Sequence, residues 1–233
     1  MVVDKIVEDF RRKISRKATV LELGGFRPPL DPLSSWFGDV TVCVPGESWP
    51  HVESKPMHAL AQVNLLEFHS KPSGLKDIDL LTLLIGPDKL PIDTLNGDGW
   101  EIRAYRDLSE LVPIDKVVSG SGIKKLPMRS RVLENDYPCW EDVAGEVPEE
   151  LEESYYDLFA NTDGFKFGGW PSLIQSEINW PRSNNHIANP QYVFQIDSTE
   201  KGNWAWGDAG VGYFGRSTTA GQADEWVLDW QCM

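Results

Sequence analysis

The chain has 233 residues, of which 22 are basic and 36 acidic, so its net charge at pH 7 is −14. This balance argues against direct nucleic-acid binding, because neutralising phosphates requires clustered Lys and Arg side chains. No apolar run approaches the length that spans a bilayer and no signal-peptide pattern is present, so we expect a cytoplasmic protein without membrane contacts.

The three cysteines, Cys43, Cys139 and Cys232, are odd in number and widely spaced. Disulfide frameworks favour even numbers, and zinc sites favour CxxC pairs, which this chain lacks. We interpret all three as free thiols, and the sequence predicts no metal and no cofactor.

The first predicted element is a helix over residues 3–17. Its apolar residues recur at helical spacing, and its last turns are basic, which suits the negative end of a helix dipole. We interpret this basic cluster as a solvated helix end rather than a binding patch. Residues 19–23 then alternate in a way that predicts an edge strand.

Apolar strands between residues 37 and 105 predict a first β-rich half. Asn96, Gly97, Asp98 and Gly99 precede its last strand and offer oxygen ligands at alternate positions, as a calcium loop does. The rest of that ligand pattern is missing, however. A tight turn is favoured instead, because Asn-Gly and Asp-Gly pairs supply the positive φ that reversals need.

Residues 107–163 form a predicted linker whose second part is strongly acidic. Between residues 131 and 160 there are ten acidic residues against a single arginine. Pro148 suits a first helical turn, and the acids after it complement the positive end of a helix. An apolar stripe at helical spacing predicts a helix with one buried and one acidic face: Leu151, Tyr155, Leu158 and Phe159.

The acidic face has two interpretations. A run of charge is commonly the solvated side of a helix. Alternatively it is a docking surface for a cationic protein, because concentrated like charge speeds association with an oppositely charged partner. The candidate partner-binding residues are the acids and two nearby aromatic residues that could serve as anchors: Glu146, Glu149, Glu150, Glu152, Glu153, Trp140 and Tyr156.

Residues 167–233 hold six of the ten tryptophans and predict a second β-rich half. In residues 226–231, Trp226, Leu228 and Trp230 share one face by strict alternation. In residues 191–196 the same rule places Tyr192, Phe194 and Ile196 together. Alternation of this kind predicts half-buried antiparallel strands.

The order of motifs in residues 37–105 repeats in residues 167–233, with gaps. Each half has a Phe-Gly pair, a Trp-Pro pair, a strand containing a glutamine, and a last strand opened by tryptophan. Repeated units commonly pack together because neither buries its apolar face alone. The prediction is an α+β fold, mostly antiparallel β, with two pseudo-symmetric repeat halves and a few helices in a single domain over residues 1–233.

Two groups of short motifs run through these halves and span most of the chain. The later group is Phe167, Gly168, Gly169, Pro171, Ile174, Gln175, Gln195, Ile196, Asp197, Trp206, Gly207, Asp208, Ala209, Gly210, Tyr213, Gln231 and Cys232. The earlier group is Phe37, Gly38, Pro45, Gly46, Trp49, Pro50, Lys55, Pro56, Met57, Ala61, Gln62 and Asn64. This pattern resembles the bacterial YwqG-like family, although Asp39 and Val40 stand where a second glycine and a nearby proline are expected.

A function is implied by the resemblance rather than by the composition. The family is largely of unknown function, but some members look like immunity proteins made beside a secreted nuclease toxin, including type VI toxins. We therefore expect an immunity protein that binds a cognate basic nuclease, expected to be a DNase, and masks its active or DNA-binding surface.

Catalysis is not expected, and no catalytic residue is predicted. The sequence contains no Gly-x-Ser-x-Gly, no His-x-x-x-His and no glycine-rich phosphate loop. His51 and His58 with Cys43 could approximate a metal site, and Asp197 with Asp208 an acid-base pair, but structural roles are favoured for both. The alternative function is a small-ligand-binding or hydrolytic housekeeping protein that uses a groove between the two halves.

Overall fold

The computed structural model describes residues 2–115, 117–180, 189–220, 222 and 224–233. Its helices are α1 (Val2–Ile14) and α2 (Tyr155–Leu158). The strands are β1 (Arg16–Leu23), β2 (Trp36–Phe37), β3 (Val42–Cys43), β4 (His51–Val52), β5 (Lys55–Pro56), β6 (His58–Asn64), β7 (Leu80–Ile85), β8 (Trp100–Tyr105), β9 (Val112–Pro113), β10 (Leu126–Asp136), β11 (Lys166–Gly168), β12 (Pro190–Asp197), β13 (Val211–Ser217) and β14 (Trp226–Gln231). Short 3₁₀ turns occur at Leu65–Glu67, Ser73–Leu75, Leu108–Glu110, Trp140–Asp142, Ala144–Glu146 and Glu149–Ser154.

Ten of the described strands form one antiparallel sheet in the order β14-β13-β12-β11-β1-β10-β2-β6-β7-β8. The long strands β1 and β10 pair at its centre, with Glu22 opposite Arg129. The expectation of a mostly antiparallel β fold with a few helices is confirmed.

The centre of the sheet differs from the sequence expectation. The predicted edge strand over residues 19–23 is wrong, because β1 lies between β10 and β11 and its residues Ala18, Thr19, Val20 and Leu21 are buried. The segment predicted as a linker contains β10, the longest strand described. β10 contains charged residues at intervals along its length, so a search for apolar runs does not detect it.

The two ends of the sheet face each other across a shared core. Trp100 of β8 lies 6.2 Å from Phe214 of β13, measured between ring centroids. Phe194 of β12 stacks on Phe214 at 4.4 Å. The indole Nε1 of Trp230 donates to Pro91 O at 2.7 Å, which ties β14 to the loop before β8. Each end of the sheet therefore buries the apolar face of the other.

An ion-pair cluster also joins the two ends of the sheet. Arg216 of β13 is buried and binds both carboxylate oxygens of Asp77, at 2.7 and 2.9 Å. It also donates to Gly74 O at 2.7 Å. Arg106, just after β8, bonds Asp224, just before β14. Because Arg216 is buried and its contact with Asp77 is bidentate, this pair fixes the geometry more firmly than an exposed pair would.

The alternation prediction is confirmed for β14; in β12 it holds for Phe194 and Ile196 and is wrong for Tyr192. Trp226, Leu228 and Trp230 all reach the shared core, as expected. In β12 a register shift between Tyr192 and Phe194 places Val193 in the core with Phe194. Tyr192 is turned away from them, and its hydroxyl donates to Gln195 Oε1 at 3.2 Å. A β-bulge of this kind adds one residue and reverses the faces on one side of it.

Candidate functional site

A satellite core joins α1 to the acidic part of the chain. Phe10 and Ile14 of α1 pack against Leu151, Tyr155 and Phe159, as the predicted helical stripe requires. The Phe10 and Phe159 rings meet edge to face at 5.5 Å. The stripe is built from a 3₁₀ turn, Glu149–Ser154, followed by the single α-helical turn of α2, rather than from one regular helix. The buried face nevertheless lies where it was predicted.

The predicted helix over residues 3–17 ends earlier than expected. α1 stops at Ile14, and Arg16 already pairs with Asp136 in the sheet. Its basic end is partly neutralised, because Lys13 Nζ lies 2.9 Å from Glu146 Oε2. Arg11 binds Glu8 at 2.5 Å within the helix. Most of the basic cluster is therefore engaged locally, as the solvated-end interpretation expects.

The exposed carboxylates of this region form one surface, which we call the acidic surface. Its members are exposed and make no ion pair within the part of the chain that the structure describes: Glu141, Glu149, Glu150, Glu152, Glu153 and Asp157. Glu146 is exposed as well, but it is paired with Lys13. Of the five glutamates that the sequence predicted to bind a partner, four therefore belong to the acidic surface, and Glu146 is paired.

The two predicted aromatic anchors differ in exposure. Tyr156 is 69% exposed and stands beside the free carboxylates. Trp140 is half-buried and contacts Tyr155 edge to face at 5.4 Å. Tyr155 is buried, and its hydroxyl donates to Pro138 O at 2.9 Å. Tyr156 is thus the more accessible of the two predicted anchors, and Trp140 packs against the buried Tyr155 instead.

A pocket of about 380 Å³ lies beside the acidic surface, and we call it the Arg16 pocket. Arg16 enters from the start of β1, Asp142 from the 3₁₀ turn Trp140–Asp142, and Trp170 from the loop after β11. The Arg16 guanidinium carbon lies 3.2 Å from the centroid of the Trp170 ring. Sequence reasoning missed all three residues, because Arg16 was assigned to the helix and Asp142 to the general acidic run.

A buried ion pair holds the loop beneath this pocket. Lys166 Nζ lies 2.9 Å from Asp136 Oδ2, and both side chains are 0% exposed. The same carboxylate accepts the backbone N–H of Trp170 at 2.8 Å and of Thr162 at 3.1 Å. Burial lowers the pKa of Lys166, while the neighbouring Asp136 acts in the opposite direction. Gly169, at φ +67°, must be glycine, since a Cβ there would lie 2.3 Å from Asp136 Oδ2.

Two buried glutamines hold the loops that cover the outer faces of the two sheet ends. Gln62 accepts from Thr41 N at 2.9 Å and donates to Pro32 O and Ser34 O. Gln195 accepts from Ser172 N at 2.8 Å. Both side chains are fully buried, so these bonds replace lost water.

A groove of about 330 Å³ is lined mainly by residues of β1 and by residues 163–165 and 196–201. Phe37 from the first half and Ile196 from the second line it, together with the carboxyls of Asp163 and Asp197. Burial raises the pKa of Asp197 to about 6, against the effect of hydrogen bonds from Gly164 N at 2.7 Å and Gln195 Nε2 at 2.8 Å. Asp208 is exposed and does not line this groove.

The remaining candidates have structural roles where they are described. The Asn96 side chain bonds both the N–H and the C=O of Ile102, which blocks the open edge of β8, as a turn role predicts. His51 Nδ1 lies 2.8 Å from Trp49 O. Among the described residues, no group of three His, Cys, Asp or Glu side chains could hold a metal. His186 and Pro181 lie outside the described residues. The three cysteines are free thiols.

Within the same described ranges, no helix combines the length and the apolar character needed to cross a bilayer. The fold and its surfaces define a mostly antiparallel β protein with one folded-over sheet and an exposed acidic surface. The sequence profile described as "Domain of unknown function (DUF1963)" matches residues 35–232, and the chain belongs to that family. α1 and β1 lie outside the matched region. A comparison with curated proteins found no match.

Proposed function

We propose that this protein acts by binding a basic protein partner through the acidic surface. In this proposal it is an immunity protein that neutralises a cognate secreted nuclease, expected to be a DNase. The observation that carries the proposal is the set of six exposed carboxylates without ion-pair partners among the described residues, next to the exposed Tyr156. The nuclease itself is supplied by the resemblance to YwqG-like immunity proteins.

Charge complementarity gives this surface a physical mechanism. A DNA-binding protein presents clustered Lys and Arg side chains to the phosphates. An array of carboxylates on another protein can pair with the same side chains and so compete with DNA. The array also raises the rate of encounter, by as much as 10–10³-fold at low salt. Tyr156 adds a large amphipathic side chain of the kind that dominates binding energy at interface centres.

Charge reversal tests the acidic surface. Changing Glu149, Glu150, Glu152 and Glu153 to Lys should slow association with the toxin by roughly tenfold or more at ~0.01 M ionic strength. The effect should shrink at ~0.15 M, where the Debye length falls from about 30 Å to about 8 Å. The measurement is surface plasmon resonance at both ionic strengths.

A matched control variant has the same change in net charge, but its substitutions lie outside the acidic surface. Four other exposed acids without ion pairs among the described residues are suitable for reversal to Lys: Glu53, Asp98, Glu110 and Glu200. If this control slows association as much as the first variant, the effect comes from net charge, and the acidic surface is not the docking site.

Immunity requires a cellular test. The gene next to this one should encode the toxin, and coexpression should restore growth and yield a complex that copurifies. If neither a complex nor growth rescue is observed, the immunity proposal is contradicted. This outcome is independent of the salt-dependence experiment.

We also propose that the two halves are copies of one β unit. Phe37 pairs with Ala61 as Phe167 pairs with Phe194, and each following strand has a register shift at the corresponding place, between Ala59 and Ala61 and between Tyr192 and Phe194. The glycines after the two phenylalanines both have positive φ, near 70°. The duplication is contradicted if β2, β6, β7 and β8 fail to superpose on β11, β12, β13 and β14.

A second candidate function uses the groove that Asp197 lines. The observation that favours it is the Asp197 carboxyl, whose pKa of about 6 suits proton transfer near neutral pH. Hydrolysis of p-nitrophenyl esters or phosphates should then be measurable and should be lost in Asp197→Asn. A wild-type rate no greater than that of buffer alone excludes this candidate for those substrates.

A further inference from the structure

The Arg16 pocket has an unusual combination of walls. Its apolar and aromatic side is formed by four residues: Trp170, Leu173, Ile178 and Trp180. Opposed to these are one cationic side chain, Arg16, and two carboxylates, Asp142 and Glu177. A volume of about 380 Å³ falls at the small end of ligand pockets, about 300–1,000 Å³, which suits a ligand of one residue rather than a polymer.

The cationic wall has unused hydrogen-bonding capacity. The Arg16 guanidinium is stacked on Trp170, so its plane and position are set. Trp170 is itself fixed, because its Nε1 donates to Ile14 O at 2.7 Å. Five guanidinium N–H groups are available in an arginine, and in the described structure those of Arg16 make no hydrogen bond or ion pair. A stacked guanidinium of this kind binds a carboxylate through two parallel bonds.

The anionic wall has an unused acceptor. Asp142 Oδ2 is buried and has no hydrogen-bond partner among the residues that the structure describes. Burial raises the pKa of this carboxyl to about 6; the charge of Arg16 acts to lower it, and the carboxylates of Glu141 and Glu177 act to raise it. Asp142 and Arg16 interact electrostatically, yet they do not come within the 4.0 Å of an ion pair. A buried carboxylate oxygen without a donor is costly, and a bound ammonium would remove that cost.

We propose that the Arg16 pocket binds a small zwitterion, namely an α-amino acid with an apolar side chain. Arg16 receives the carboxylate, Asp142 and Glu177 together receive the ammonium, and the apolar side chain lies against Leu173, Ile178 and Trp180. A simple anion would leave the two carboxylates without a donor, and a simple cation would leave the Arg16 guanidinium without an acceptor. Only a ligand with both charges satisfies both walls. This inference does not depend on the acidic surface or on the nuclease.

Isothermal titration calorimetry of the full chain tests the charge requirement. The probes are L-phenylalanine and L-leucine, with 3-phenylpropionate and 2-phenylethylamine as analogues that lack the ammonium or the carboxylate. Either amino acid should bind saturably, and phenylalanine should bind at least about tenfold more tightly than both analogues. Equal affinity for phenylalanine and for either analogue overturns the proposal. No saturable binding of either amino acid up to about 10 mM also overturns it.

Variants test the residues. Arg16→Met and Asp142→Asn should each weaken amino-acid binding by about tenfold or more. Lys17→Met removes a neighbouring cation that does not line the pocket, and it should leave binding unchanged. Arg16→Lys keeps the charge without the planar fork, so it should bind with intermediate affinity if Arg16→Met does not fold. Undiminished binding in folded Asp142→Asn, judged by its urea midpoint, contradicts the assignment of Asp142.

Discussion

Replacing Lys166 with methionine tests whether the buried ion pair holds the second half together. Lys166 and Asp136 are both 0% exposed, and Asp136 accepts three hydrogen bonds, one from Lys166 Nζ and two from backbone N–H groups. Methionine fills most of the space of the lysine alkyl chain, so the substitution mainly removes the charge. It leaves the Asp136 carboxylate buried with two partners.

The expected loss of stability depends on how well the Asp136 carboxylate remains compensated after the substitution. Removing one partner of a buried ion pair costs about 3–5 kcal/mol, because the other charge stays without compensation. The N–H groups of Thr162 and Trp170 still bind Asp136, so we expect the lower end, about 3 kcal/mol. A domain has about 5–15 kcal/mol of stability in total, so this loss is a large fraction of it.

Urea unfolding followed by tryptophan fluorescence measures this loss. Lys17→Met is the matched control, because Lys17 pairs with Glu134 at 2.7 Å but both side chains are more than 60% exposed. Exposed pairs contribute about 0–1 kcal/mol, so the control should change little. A Lys166→Met loss below about 1 kcal/mol would refute the reasoning, since the pair would then contribute no more than a surface contact.

Asp136→Asn adds a test by pH. Burial already lowers the pKa of Lys166, and removing Asp136 removes the charge that opposes this shift. The folded state then binds fewer protons than the unfolded state as the pH rises towards the ordinary lysine value, so its stability increases with pH. The deficit of Asp136→Asn should therefore be smaller at pH ~9.5 than at pH ~7. If the stability deficit of Asp136→Asn is the same at both pH values, the charge of Lys166 is not its cause.

Two further predictions concern the loops and the closure of the sheet. Gln62→Leu and Gln195→Leu should each cost about 1–3 kcal/mol in urea unfolding, because each leaves at least one part-buried backbone N–H without its partner. Losses within experimental error would contradict the loop role. Hydrogen bonds from Arg216 lower the pKa of Asp77 to about 2, which stabilises the fold above the unfolded pKa of about 3.9 and is lost as the pH falls through 2. Since the Asp77 side chain is 48% exposed, we expect Asp77→Asn to lower the free energy of unfolding by roughly 1 kcal/mol at pH 7 and by almost nothing at pH ~2. An equal loss at both pH values would contradict the assignment of this stabilisation to the Asp77 carboxylate.

The acidic surface and the Arg16 pocket share one supporting element, the 3₁₀ turn Trp140–Asp142. Trp140 packs against Tyr155, the residue before the exposed Tyr156, and Asp142 forms part of one wall of the pocket. The Lys166–Asp136 pair holds the Trp170 backbone, which places the other wall. Loss of the buried pair should therefore disturb the pocket before it disturbs the exposed carboxylates.

Local spacing in the sequence determined several elements of this fold. The stripe of Leu151, Tyr155 and Phe159 predicted a buried helical face, and Trp226, Leu228 and Trp230 predicted the core face of β14. These inferences hold because helical and strand periods act over neighbouring residues, so a short window contains all the information. The exposed acids were also readable, since a run of carboxylates without basic neighbours stays in water.

Other features depend on residues that are far apart in the chain. Lys166 and Asp136 read as two solvated charges, and only the pairing of β1 with β10 and β11 buries them together. Arg16 and Trp170 likewise meet because β1 lies next to β11. No local period marks which strand becomes a neighbour of another, because strand order is fixed by the total burial that the whole sheet achieves. The sequence alone therefore determined the faces of individual elements and the net charge, whereas the tertiary structure decided which charges are buried and which walls share a pocket.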